Sequence, residues 1–182
     1  MKKMLFIVAF LCAAFVSPAQ TQPMKFMGIS LNCTVSTFIS KLKGKGFVQD
    51  LNNSHENTII MKGVFAGERT KLVINGASKT HLVCQVEVYF NLSTSYTYEI
   101  LRTKLQAKYG TGVEHKNLKE DEGFVKYSTD CTVWETDTDE VTGSSNKIIL
   151  SKCSYRSQSP YIITYLDSRN SKVGVEERDS DF

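Results

Sequence analysis

Outside an apolar N-terminal stretch, the chain carries four cysteines, Cys33, Cys84, Cys131 and Cys153, and these have its widest chemical repertoire. Cysteine can ligate a metal, attack a carbonyl or close a disulfide, and spacing separates the three roles. A zinc site needs C-x-x-C pairs or clustered cysteine and histidine, and this sequence has neither. An even number of cysteines in an oxidising compartment points instead to two disulfides. A hairpin with its apex near Thr142-Gly143 sets Cys131 opposite Cys153 and Trp134 opposite Leu150. Opposed Cα atoms in such a pair lie about 4.5–5.5 Å apart, a span that a disulfide bridges. Cys33 is then left for Cys84, one bond in each half of the chain. The alternative is four buried thiols, since cysteine is also a small core residue.

Nucleophilic catalysis needs a base beside a serine, cysteine or threonine, and histidine usually supplies it. The three histidines, His55, His81 and His115, fall in polar loops and at strand edges, away from any patterned nucleophile. The acidic run from Glu135 through Asp137, Asp139 and Glu140 to Gly143 lacks the glycine and terminal glutamate spacing of an EF-hand, and reads as a solvated hairpin tip. Paired carboxylates for glycoside hydrolysis meet only in the fold, and nothing in the sequence singles out a pair. Gly63, Gly67, Gly110 and Gly112 do not lie between a strand and a following helix, where a phosphate cradle would put them. The expectation is therefore no catalytic set, no cofactor and no metal. Eight tyrosines stand beside a single tryptophan, and Tyr89, Tyr127, Tyr155 and Tyr161 are candidates for an exposed sheet face that contacts a protein or glycan. Packing in the core or at strand edges is the plainer account of the same residues.

The elements that would position these groups follow from periodicity. Thr34 caps a helix whose Val35, Phe38, Ile39 and Leu42 share one face, and Gly44 and Gly46 end it. Strand patterns follow at 58–65, 69–75 and 80–90, separated by turn residues. In the last of these, Leu82, Cys84, Val86, Val88 and Phe90 share one parity, which predicts one buried face. A second helix carries Tyr98, Leu101, Leu105 and Tyr109 and closes at Gly110, with strands expected at 123–128, 131–137, 147–153 and 161–166. Aligning the two helices pairs Val35 with Tyr98, Phe38 with Leu101 and Leu42 with Leu105. The predicted fold class is therefore α+β, two tandem repeats of a helix and an antiparallel meander, with both helices on one face of the sheet or sheets. The repeats span 20–92 and 93–167, and a polar, disordered tail covers 168–182.

Residues 1–19 read as a secretory signal peptide: Lys2 and Lys3, an apolar run from Leu5 to Val16, then Ser17-Pro18-Ala19 before Gln20. Cys12 lies within the apolar run without the small preceding residue that lipidation requires. The run is too short to cross a bilayer as a helix, and no later segment is longer, so no transmembrane segment is expected in the mature chain. Removing it lowers the formal charge from +3 to +1, too little for a nucleic-acid partner. The expected location is the periplasm or the extracellular space.

The stretch Met27 to Leu31, the helix ending Lys45-Gly46-Phe47, the run Lys62 to Gly67 and the second helix ending Lys108-Tyr109-Gly110 resemble small exported proteins of Bacteroidetes-type bacteria. The duplicated helix-plus-meander plan is similar in architecture to beta-lactamase inhibitory protein. Neither resemblance implies an activity. The expectation from residues and resemblance together is a non-enzymatic envelope or secreted binding module with a protein partner. The alternatives are a secreted enzyme inhibitor and a carboxylate-dependent hydrolase acting on glycans.

Overall fold

The structure, a computed structural model, describes residues 23–91, 93–116, 128–138, 145–153 and 160–171. The expected signal peptide, the 123–127 part of one expected strand, Tyr127, Tyr155 and the tail from 172 lie outside the described residues.

The chain opens with a hairpin of two short strands, β1 (Lys25–Phe26) and β2 (Ile29–Ser30). Met27 and Gly28 turn it with φ of 50° and 78°, the left-handed pair that suits the twist of a two-residue hairpin. Helix α1 (Val35–Lys43) follows, with Thr34 accepting from the Thr37 N–H as its cap. Its Val35, Phe38 and Leu42 are buried, and Lys41 and Lys43 sit in the last turn, where cations suit the helix dipole. Then come β3 (Val48–Gln49), β4 (Thr58–Phe65), β5 (Glu68–Gly76) and β6 (Val83–Phe90). Helix α2 (Tyr98–Tyr109) is capped by Thr97 and closed at Gly110, whose φ is 83°. After it run β7 (Val113–Lys116), β8 (Ser128–Thr138), β9 (Ser145–Cys153) and β10 (Tyr161–Leu166).

Strands β3 to β10 form one antiparallel sheet of eight strands in the order β3-β4-β5-β6-β10-β9-β8-β7, and β1 and β2 form a separate pair. This corrects the expected α+β fold of two helix-plus-meander repeats. The molecule is mostly β, its helices are short, and strands β3 to β10 belong to one sheet. The deciding contact is β6 against β10, with Val86 opposite Tyr165 and Val88 opposite Ile163. Periodicity identifies strands one at a time and carries no information about which distant strand will pair.

Two cross-strand rows build the buried face. One runs through Ile74, Val86, Tyr165, Ile148 and Trp134; the other through Met61, Leu72, Val88, Ile163 and Leu150. All ten are at most 4% exposed. The buried side chains of α1 and α2 join the same cluster, so both helices cover this face. Phe26 ties the halves together, its ring stacked on Phe65 at 5.3 Å and edge-on to Tyr165 at 5.2 Å. Fully burying each such side chain contributes about 1.5–3 kcal/mol. Gly63 and Gly112 keep the layers close. A Cβ on Gly63 would lie 2.4 Å from the Phe47 ring, and one on Gly112 would lie 2.6 Å from Trp134.

Several local expectations change. The β6 parity breaks at its start, because a bulge at Asn75/Gly76 sets Gly76 against Val83 and leaves Cys84 without a place in the alternation. Val83 is buried and Cys84 only half-buried. The β8–β9 register is two residues away from the expected one, with Cys131 opposite Ser151 and Trp134 opposite Ile148. Bulges at both ends of that ladder absorb residues, which a count from the turn apex overlooks. Strand β7 lies where the sequence suggested a loop. Residues 168–171 make one helical turn, and the Asn170 side chain is buried and donates to the Val83 carbonyl at 2.8 Å.

Candidate interaction surface

Alternation along each strand sends every second residue to the sheet face opposite the helices, and no described helix packs there. One row on this open face runs Ile60, Val73, Glu87, Thr164, Ile149 and Val133, and β7 extends it with Val113. All but Val113 are partly exposed, and Val113 is 62% exposed. The neighbouring row runs Lys62, Lys71, Tyr89, Ile162, Ser151 and Cys131, ending at His115, with Ser151 and Cys131 buried.

A polar ladder crosses β4, β5 and β6 on this face. The Thr58 hydroxyl donates to Asn75 Oδ1 at 3.0 Å, and Asn75 Nδ2 donates to Gln85 Oε1 at 3.4 Å. Gln85 donates to Glu87 Oε1 at 2.8 Å, and the Tyr89 hydroxyl donates to Glu87 Oε2 at 2.7 Å. Lys71 Nζ stands 4.5 Å from the centre of the Tyr89 ring. Both carboxylate oxygens of Glu87 are therefore held in place, which makes it a positioned acceptor. Side chains locked this way lose little entropy when a partner arrives.

The four tyrosines separate. Tyr89 is on the open face. Tyr161 packs on the helix side, 6.3 Å from the Tyr98 ring, and so is corrected to a core-edge residue. Tyr127 and Tyr155 lie outside the described residues.

The cysteines do not meet as expected. Cys33, Cys84 and Cys131 are free thiols, so the Cys33–Cys84 bond is not formed. Cys33 donates to the Ser30 carbonyl at 3.1 Å and Cys84 to the Asn75 carbonyl at 3.3 Å. The register separates Cys131 from direct opposition to Cys153, whose thiol lies outside the described part. Cys131 is instead the cross-strand neighbour of His115 on the open face, a proximity the sequence did not suggest. That pairing does not make an activated nucleophile. Burial and the adjacent Asp130 carboxylate push the Cys131 thiol up, the reverse of what a reactive thiolate requires. Burial likewise raises Cys33 and Cys84.

A second polar cluster closes the sheet's end. Asp167 Oδ1 accepts from the Arg169 and Asn170 N–H groups, and the Ser168 N–H donates to Asn146 at 3.3 Å. The Asp167 N–H donates to the Cys84 carbonyl at 2.9 Å. Asp167 and Asn146 are each 2% exposed, and their bonds pin the chain after β10 to the starts of β6 and β9. This cluster is a clasp. Among the described residues no group of three or more histidine, cysteine or carboxylate side chains is placed to hold a metal ion. No described helix is long and apolar enough to cross a membrane.

Comparison with protein-family models, curated proteins and solved structures finds no match to this chain. Its function must therefore be argued from the geometry of the open face.

Proposed function

We propose that this protein is an exported, non-enzymatic binding module that contacts a protein partner through the open face of its sheet. The observation that carries the reading is the asymmetry of the two faces. Helices α1 and α2 cover one, while the other presents aliphatic side chains around the ordered Glu87–Tyr89–Lys71 group. Interface cores commonly combine such tyrosines and aliphatic residues with a few fixed polar groups. Export is supported by the leader-like residues 1–19, and an extracytoplasmic binding module needs no cofactor.

Site-specific photocrosslinking tests the reading. A benzoylphenylalanine at Thr164, in the middle of the open face, is expected to give a discrete protein adduct in the producing cells. The same probe at Lys108, exposed on α2, is expected to give none. An adduct from Lys108 alone, or no adduct from Thr164, would overturn the proposal.

A further inference from the structure

The β3–β4–β5 corner of the open face carries charge that the fold does not need. Lys62 and Lys71 stand directly opposite one another across β4 and β5. Arg69 lies two residues from Lys71 on the same face, opposite Val64. Like charges facing across a strand pair cost stability. Asp50 relieves only one of them, 2.8 Å from Lys62, and that cation with Asn53 holds the Asp50 carboxyl below the usual carboxylate range. Lys71 rests against the Tyr89 ring, and among the described residues neither Lys71 nor Arg69 meets a carboxylate at ion-pair distance. Val48, opposite Lys62, is 69% exposed, and Val64 is 54% exposed. Two uncovered valines are thus interleaved with three cations at one sheet corner.

We infer that this corner docks an acidic segment of the protein partner, one in which carboxylates alternate with apolar side chains. The inference rests on the open-face reading above and specifies the chemistry of its partner. Carboxylates would complete the ion pairs that Lys71 and Arg69 lack, and apolar side chains would cover Val48 and Val64. A nucleic acid or an anionic bilayer fits less well. Three cations neutralise few phosphates, and the fixed Glu87 carboxylate on the same face repels a continuous anionic surface. Complementary charge of this kind acts mainly on encounter rate and partner choice, and so responds to salt.

The test uses the purified protein and a fluorescein-labelled random copolymer of glutamate and tyrosine, read by anisotropy. Binding is expected to weaken with added salt and to drop about tenfold or more in R69E/K71E, a loss readable as a dissociation-constant shift. The neutral pair R69Q/K71Q should give a smaller loss in the same direction, and serves if the charge-reversed pair misfolds by circular dichroism. K43E/K45E, the same charge change at exposed positions at and just after the end of α1, should bind like wild type. Equal losses in the sheet and helix variants would overturn the inference, as would preference for phosphatidylglycerol vesicles or single-stranded DNA over the copolymer. Crosslinking at Thr164 in the R69E/K71E background separates the two claims. A wild-type adduct yield there sinks the acidic-segment inference and leaves the open face standing, whereas a Thr164 probe silent in both backgrounds removes the open-face reading itself.

Discussion

At the residue scale, the groups with most chemical potential are held in forms that favour stability over reactivity. Tyr165 is 4% exposed, and burial, followed by the neighbouring Tyr109 phenol, pushes its hydroxyl far above the ordinary tyrosine range. Burial also raises Tyr98, although its hydroxyl shares a 2.8 Å hydrogen bond with Thr132. The sign of the linkage follows. The folded state keeps these phenols protonated, so their contribution is complete below the unfolded tyrosine pKa of about 10 and is lost as pH rises toward the folded value. Urea denaturation is therefore expected to show stability falling as pH climbs above about 10. Tyr165→Phe should flatten that slope, and a slope unchanged in this variant would contradict the assignment. The cysteines teach a related lesson. Their number and presumed compartment pointed to disulfides, but bond formation depends on Cα spacing and direction, which the bulge beside Cys84 and the β8–β9 register control.

At the element scale, local signals were largely legible. Strand β4 occupies the residues its pattern indicated, α1 and α2 begin at their threonine caps, and β10 begins and ends as expected. Helix α2 depends on few buried side chains, Leu101 and Leu105, so its cap carries weight. Thr97→Ala, which removes the acceptor for the Ile100 N–H, is expected to destabilise the protein by about 1 kcal/mol in thermal or urea unfolding. A loss below the error of that measurement would show the cap to be dispensable. The misreadings share a cause: β1, β2 and β3 have two residues each, and β7 has four, all exposed. Such short segments present too little alternation for a period to register. The bulges at Asn75/Gly76 and in β8 likewise arise from pairing with another strand and leave no mark in the residue pattern.

At the scale of the whole molecule, the β6–β10 seam makes the two parts of the chain one cooperative unit. The buried rows pass through it without a break, and Phe26 packs against residues from both sides. Trp134 is the single tryptophan and lies in the later part, with its indole N–H donating to the Gly110 carbonyl at 2.9 Å. Urea unfolding followed by tryptophan fluorescence is expected to coincide with unfolding followed by far-ultraviolet circular dichroism. Separated midpoints would mean that the parts melt independently.

Taken alone, the sequence determined the leader-like start, the two capped helices, most strands and the inward side of β6 from Val86 to Phe90. These are local properties, governed by a residue's immediate neighbours and by the alternation of side chains along one strand. The tertiary structure alone decided that β3 to β10 form one sheet, that Cys131 lies beside His115, and that Tyr89 is on the open face while Tyr161 is not. It also assembled Lys62, Arg69, Lys71, Val48 and Val64 into a single corner. Each of these depends on pairing between distant segments, where loop-closure entropy, bulges and register compete, and that balance is settled only when the whole sheet forms.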